Sequence, residues 1–569
     1  MTIGARSEST RVRHTSATKF LVLAALTAAT WLPRMNGPVD LRWDGGVYYV
    51  LGTSLAQGRG YRLLNEPGEI EATQYPPLYP LFIAAHQIIA GTSDPTQAGR
   101  LLRFSSFLMS LGFVLATYAL LRRQIPEGWA LVGAGICALH TYTVFLSDIA
   151  FAEMPFALAT ILFFLWRRRS SSTSTWHDLI AGLVASVAYL LRTAGVALLV
   201  AWVAEGVLRR NPRESLLRFA LALLVIGGWQ ARIASVENDP TYSRPSYPYQ
   251  RASYLFYNVS YARNMRLRDV ERPNLGELST LQLSKRFMNN LITVPARLGQ
   301  AVSAVRDDWV KQISSLRRAP FVRRLIPTAL IDLCLLLLGG MVIGGLVRHF
   351  IYIDRLMPLY VAGYIALLCF TPPAWESARY LMPIAPFLVL ALCEAVLALR
   401  RRLQTGPPFL ARVAPVGFYA GAAIVLVVQI LSLTNLFRER HRRVEYQDQS
   451  GALLTYKLFF YRDAYQALDA GLDWLKRRAG PAEVIASSMP HWVYLRTGLK
   501  AVMPPFESDP RSAQALLDSV PVNYLIVDGR TGSFTRQFGL PAVKAAPDLW
   551  QLIYLSRAGE LEIYRRTRP

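Results

Sequence analysis

The chain has 569 residues, 52% of them hydrophobic, with a mean hydropathy of +0.25. A soluble chain of this length would divide into about four domains of roughly 150 residues, but this composition describes a protein that is mostly embedded in a membrane. The formal charge of +24, from 62 Lys and Arg against 38 Asp and Glu, comes in short clusters between apolar stretches; there is no basic stripe or tail of the kind nucleic acid requires, so no nucleic-acid partner is expected.

The N-terminus is basic (Arg6, Arg11, Arg13, Lys19) and leads into an apolar stretch from Phe20 to Leu32. Its length resembles a signal peptide, but no clean A-x-A site ends it and many apolar stretches follow, so an uncleaved first span is expected. Ten more stretches run at about 101–121, 128–147, 154–166, 179–191, 194–208, 216–235, 325–347, 356–371, 380–399 and 411–435. About eleven transmembrane helices are therefore predicted, several of them shorter than the roughly 20 residues of a perpendicular crossing.

The stretch Pro76 to Ala90 decides the topology. Read as a surface helix opened by Pro76-Pro77, it leaves Arg122-Arg123, Arg167-Arg168-Arg169, Arg209-Arg210 with Arg213, Arg348 with Arg355, and Arg400-Arg401-Arg402 all on the cytoplasmic side, as the positive-inside rule demands. The N-terminus is then inside and the C-terminus outside. Three segments face outward: 34–100, 236–324 and the tail from about 437. Within the second, Leu281 to Arg324 reads as an interfacial amphipathic helix. The low-complexity tract Ser170–Thr175 is a short cytoplasmic loop.

The chain divides into a transmembrane part, 1–436, and an extracytoplasmic α/β domain, 437–569. In the tail a helix is expected at about 459–479, strands at Val484–Ser487 and Tyr524–Val527, and a closing hairpin from Trp550–Leu555 and Leu561–Tyr564. The four cysteines, Cys137, Cys334, Cys369 and Cys393, sit in apolar runs without C-x-x-C spacing, which excludes a disulfide framework or a zinc site. No phosphate loop, dinucleotide fingerprint, H-E-x-x-H or G-x-S-x-G is present, leaving carboxylates as the candidates for chemistry. Gly339-Gly340 and Gly344-Gly345 have the spacing of close helix packing.

Candidate site residues gather on the outer side. The first outer loop reads Asp40-Leu-Arg-Trp43-Asp44-Gly45-Gly46, and a carboxylate beside the membrane is a functional candidate by default. Asp148 and Glu153 lie where one span emerges and the next returns, and are candidates for orienting an acceptor or a divalent cation. Arg192 and Arg379 share that side and suit a phosphate, Tyr380 joins them there, and Trp43 and Tyr75 are candidates for a donor pocket. A base, orienting acids and guanidiniums fit group transfer from a phosphate leaving group at a membrane surface. Without a nucleotide fold, the donor reaching an outward site is expected to be lipid-linked.

The first loop with Asp44, the phrase Tyr75-Pro-Pro-Leu-Tyr-Pro80, the turn with Glu153, and Arg379-Tyr380-Leu-Met-Pro383 together resemble the bacterial GT-C glycosyltransferases related to dolichyl-phosphate-mannose protein mannosyltransferases and lipid A aminoarabinose transferases. The resemblance covers most of residues 15–400. It implies an inverting transfer of a sugar from a polyprenyl-phosphate donor in the bacterial cytoplasmic membrane to an acceptor glycan, lipid or protein, with Asp44 as the base and arginines at the departing phosphate. Many relatives carry an Asp-Glu pair where this chain has Asp44-Gly45-Gly46, which favours base catalysis by Asp44 over a metal role for this loop and leaves no ion assigned. The rival reading is a multi-pass transporter or lipid flippase, with ionisable residues near the middle of spans and broken helices in repeated halves. A non-catalytic scaffold is a third.

Overall fold

The fold is that of a computed structural model, described for residues 3–167, 175–245, 247, 258–270, 272–316, 327–372, 377–404, 408–447, 451–530, 532–557 and 559–567. Arg168, Arg169, Arg317, Arg318, Arg323, Arg324 and all of the Ser170–Thr175 tract but Thr175 lie outside the described residues.

Helices occupy all eleven apolar stretches. The first ten helices of the chain are α1 (Ile3–Trp31), α2 (Asp44–Ala56), α3 (Leu78–Ala90), α4 (Gln97–Leu121), α5 (Glu127–Leu139), α6 (Thr141–Asp148), α7 (Glu153–Arg167), α8 (Thr175–Leu191), α9 (Val196–Leu208) and α10 (Pro212–Glu237). Apolar helices Thr328–Tyr352, Leu356–Phe370, Ala385–Gln404 and Pro408–Asn435 follow. Among the described residues five helices are long and apolar enough to cross a membrane unaided: Gln97–Leu121, Pro212–Glu237, Thr328–Tyr352, Ala378–Leu403 and Tyr419–Arg440. The pair α5 and α6 qualifies jointly, although it bends by 56°. The bend sits at His140, whose extended backbone ends α5 and whose Nδ1 accepts the Tyr142 amide hydrogen at 3.2 Å, opening a new helix. The chain is a polytopic membrane protein.

Local sequence explains the helix ends. The Asn211 side chain accepts from the Glu214 amide, with Pro212 in the first helical position of α10. Pro77 precedes α3, and Gly91, in the left-handed region, closes it. This thirteen-residue helix packs on α2 and α4 and leaves Ile88 and Ile89 exposed.

The stretch expected as an interfacial amphipathic helix divides into two helices, Thr280–Ala301 and Arg306–Leu316. Ser279 and Gln282 form a capping box at the start of the first. Beyond it, Gly299 lies so near Leu335, and Pro295 so near Gly339, that a side chain on either glycine would overlap the facing carbonyl. Gly345 approaches Ala391 in the same way. Small residues therefore pack this helix directly onto Thr328–Tyr352, as in membrane interiors, while Leu281, Met288, Leu291 and Ile292 are left exposed.

The tail begins with an antiparallel hairpin, β1 (His441–Gln447) and β2 (Leu453–Phe459), which the charged sequence of β1 conceals. After the helix Asp463–Lys476 come β3 (Val484–Ala486), β4 (Lys500–Val502), β5 (Val522–Asp528), β6 (Trp550–Leu555) and β7 (Leu561–Arg566). They form one sheet in the order β4-β3-β5-β7-β6; β3 runs parallel to β4 and β5, and the expected β6–β7 hairpin closes the far edge. The helices Pro490–Thr497 and Pro510–Asp518 make the crossovers.

The first loop docks on this tail. Asn65 exchanges hydrogen bonds with Ala501, at 2.7 Å through its carbonyl and 3.0 Å through its side chain, so the loop covers the open edge of β4. Arg42, fully buried, holds Asp40 and donates to the Phe459 carbonyl at 2.5 Å. Gly46 meets the helix Pro490–Thr497 so closely that an added Cβ would stand 2.9 Å from the Leu41 carbonyl and 3.0 Å from the His491 Cβ. This contact explains why glycine stands two residues after Asp44 in this chain.

Candidate active site

Asp44 is the first residue of α2, where the unpaired amides and the helix dipole favour a carboxylate. The chain enters through Trp43, whose backbone lies at φ 55° and ψ −133°, a conformation rare for a bulky residue. Its ring is held by Arg42 at 4.6 Å, by Tyr465 of the tail at 6.0 Å and by Phe145 at 6.3 Å. Backbone strain of this kind costs about 1–3 kcal/mol and persists where surroundings over-determine it, most often at functional sites.

A short parallel bridge between Asp40 and Ile149 ties the first loop to the turn before α7. The Asp40 amide donates to the Asp148 carbonyl at 3.2 Å, and the Ala150 amide to the Asp40 carbonyl at 2.9 Å. The bridge brings Asp44 beside Glu153, the first residue of α7.

Four charged side chains meet there. Glu153 Oε1 accepts from Arg379 Nη2 at 2.9 Å and Nε at 3.1 Å, and Arg192 Nη1 lies 2.7 Å from the same oxygen. Arg379 Nη2 also reaches Asp44 Oδ2 at 3.4 Å, so one guanidinium spans both carboxylates. The Tyr380 ring lies 5.4 Å from the Arg192 guanidinium and 5.3 Å from that of Arg379, while Phe151 supports Arg379 at 4.3 Å. The Tyr75 hydroxyl donates to Asp44 Oδ1 at 3.2 Å. Burial, and then the Asp44 carboxylate, push the Tyr75 phenol well above its ordinary range, which keeps it a donor. Tyr75 also packs on Tyr48 at 4.7 Å and Tyr261 at 6.0 Å, forming an aromatic wall beside the acids.

The two acids differ in access: the Asp44 side chain is 38% exposed and that of Glu153 2%. Asp44 is the acid open to solvent; Glu153 is the buried point on which both arginines converge.

Asp148 stands outside this constellation. Its Oδ1 is 2.7 Å from Arg103 Nη1 and 3.6 Å from Arg34 Nη1, all three side chains at most 2% exposed. It pairs with two buried guanidiniums that also bond the Pro38, Val144 and Thr30 carbonyls. Arg34, Asp40, Arg42 and Arg103, which shape the loop, were not singled out in sequence. The one signal is the Asp40-x-Arg42 spacing, which allows a local ion pair.

Among the described residues no three His, Cys, Asp or Glu side chains come together to hold a metal ion. At the site itself Arg379 lies between Asp44 and Glu153, so guanidinium charge occupies the position a bridging cation would take, and these acids do not form a ligand set for one.

No protein-family model matches the sequence, and no curated protein matches it significantly. Solved structures do match by shape. The chain superposes on ArnT from Cupriavidus metallidurans bound to undecaprenyl phosphate with a TM-score of 0.54 at 10% identity, over 96% of this chain and 97% of that one. It superposes on the Archaeoglobus fulgidus oligosaccharyltransferase, in its complex with zinc and sulfate, with a TM-score of 0.53 at 13% identity, over 96% of this chain and 73% of that one. The same archaeal protein, AglB, in complex with an inhibitory peptide and a dolichol-phosphate gives 0.53 at 12% identity, over 98% and 74%. With its many apolar helices and a tail seated on its first loop, the chain has the GT-C fold.

Proposed function

We propose that the protein is a membrane glycosyltransferase that moves a sugar from a polyprenyl-phosphate donor to an acceptor hydroxyl on the outer face of the bacterial cytoplasmic membrane. The carrying observation is the meeting of one accessible carboxylate, Asp44, with two guanidiniums fixed by a buried acid. That two structures of this fold are described as bound to undecaprenyl phosphate and dolichol-phosphate supports a lipid-phosphate donor.

In this reading the acceptor hydroxyl gives its proton to Asp44 as its oxygen attacks the anomeric carbon. The bond from that carbon to the phosphate oxygen breaks on the opposite side, configuration inverts, and the lipid phosphate leaves. Arg192 and Arg379 compensate the charge that develops on it. Glu153 is a positioning residue that holds both guanidiniums; Tyr380 and Tyr75 fix the arginines and Asp44, and Trp43 forms part of the donor pocket. The N-terminus is inside and the tail outside.

The test incubates membranes bearing wild type or Asp44→Asn with labelled polyprenyl-phosphate sugars and a cell-envelope extract. Label leaves the lipid fraction with wild type and stays with the variant. A folded wild type that moves no sugar from any donor turns the assignment towards a transporter, and near-normal turnover by Asp44→Asn removes the base role.

A further inference from the structure

The passage from the last membrane helix to the tail carries charge that the transfer chemistry does not use. Ile424, Val427 and Leu431 form an exposed apolar stripe on the helix Pro408–Asn435. At the same helical spacing the stripe continues through Thr434 to Arg438, both exposed. In a membrane protein such a stripe faces acyl chains. Just beyond it, Arg440, Arg442 and Arg462 line a crevice of about 450 Å³ with Phe460 and Tyr461.

The fold builds this crevice from two adjoining segments. His441 pairs with Phe459 in the β1–β2 hairpin, and the Phe460 amide donates to the Arg440 carbonyl at 2.7 Å. Phe460 holds φ at 56°, rare for a bulky residue, which turns the chain so that Arg462 faces the same crevice as Arg440. Phe459 packs with Leu433 and Leu436 of the membrane helix and with Leu139 and Val144. The crevice therefore stands at the level where that helix leaves the bilayer.

Charge selects the ligand. All three guanidiniums are exposed, and among the described residues none is ion-paired, whereas their neighbours Lys311 and Arg443 are taken by Glu439 at 2.6 Å and Glu445 at 3.0 Å. Asp463 is the one remaining acid of the lining, so the crevice keeps a net positive charge. In the topology proposed above, this end of the helix is the outer one, where arginine serves no topogenic purpose. Guanidiniums at headgroup level attract anionic lipid and suit the phosphate oxygens. A soluble anion would use the arginines alone; the apolar stripe beneath them calls for acyl chains on the same molecule.

We propose that this crevice seats the phosphate of an anionic phospholipid whose acyl chains lie along the stripe. The seat uses none of the residues assigned to sugar transfer and stands independently of that reading. Its position gives the lipid a purpose. Arg42 donates to the Phe459 and Phe460 carbonyls at 2.5 and 3.4 Å, and Phe145 touches both Phe460, at 5.3 Å, and Trp43, at 6.3 Å. The bound lipid anchors to the bilayer the same turn that holds the first loop.

The test titrates full-length protein in detergent micelles with phosphatidylglycerol or with phosphatidylcholine of the same acyl chains, and reads bound lipid by native mass spectrometry. Wild type retains phosphatidylglycerol at least about tenfold more tightly than phosphatidylcholine. Arg440→Gln/Arg442→Gln/Arg462→Gln loses that preference, while Arg477→Gln/Arg511→Gln/Arg557→Gln, which removes the same charge from exposed positions elsewhere in the tail, keeps it. Inorganic phosphate at the concentration of the lipid displaces none of it. The seat is overturned if wild type shows no preference, if the crevice variant keeps it, or if both triple variants lose it alike. Displacement by inorganic phosphate makes the ligand a soluble anion and overturns the lipid assignment.

Discussion

Replacing Glu153 by Gln removes the one negative charge on which two guanidiniums converge. At roughly 4 Å between charge centres and an effective dielectric of about 20, each pair is worth about 4 kcal/mol before desolvation is set against it. Arg379 and Arg192, whose side chains are 10% and 16% exposed, remain largely out of water when the acid is gone. Breaking such a buried pair costs about 3–5 kcal/mol, because it leaves charge uncompensated. Asp44→Asn is the internal comparison: its side chain is 38% exposed and meets Arg379 at 3.4 Å, so water replaces most of what is lost and the cost stays below about 1 kcal/mol. Thermal unfolding of purified protein in detergent, followed by tryptophan fluorescence, separates the two. Glu153→Gln melts several degrees below wild type, and Asp44→Asn melts close to it. Equal midpoints for wild type and Glu153→Gln, or a larger loss in Asp44→Asn, would refute the assignment of Glu153 as the buried hub.

Gly339→Ala, which drives a methyl into the Pro295 carbonyl, sharply lowers the yield of folded protein on size-exclusion chromatography, whereas Gly340→Ala, whose Cβ would meet nothing, leaves it unchanged. Gly46→Ala pushes on the Leu41 carbonyl and the His491 Cβ and costs about 1–3 kcal/mol by overpacking; limited proteolysis should release the tail faster than in wild type. Burial lowers His491 to about 3 and is the main cause that lowers His441 to about 4. Both titrate lower folded than unfolded, so their contribution is complete above pH 6.5 and declines as pH falls, by about 1.4 kcal/mol per pH unit for each, down to those values. A melting midpoint that stays flat between pH 7 and pH 4, with both histidines replaced by Gln as reference, would contradict that sign.

Apolar runs made the membrane helices legible, because burial in lipid or protein demands them wherever a helix crosses. The same run over 128–147 hid a break, since the His140 cap is a local hydrogen bond that hydropathy does not register. In the tail, the helix and the β6–β7 hairpin followed from periodicity and turn residues. β1 did not, because His441-Arg-Arg-Val-Glu-Tyr-Gln447 alternates charge where a half-buried strand usually alternates apolar residues. At the site, Asp44, Glu153, Arg192, Arg379, Tyr380 and Tyr75 were legible as residue types at the ends of apolar stretches, and the fold brings them together. Asp148 has the same chemistry and sits five residues from Glu153, yet Arg103 and Arg34 claim it from distant points of the chain. Pairing of that kind is set by packing and leaves no trace in local sequence.

The seating of the tail on the first loop has a consequence for modular engineering. Arg42 reaches the Phe459 carbonyl, Gly46 makes room for His491, and Asn65 completes the edge of β4. The seam therefore passes within two residues of Asp44, and the loop that presents this carboxylate is moulded on both sides at once. A tail transplanted from another protein of this fold would arrive with a mismatched seam unless residues 40–65 travelled with it. The portable cassette in this architecture is discontinuous in the gene, a loop from the beginning of the chain and a domain from its end.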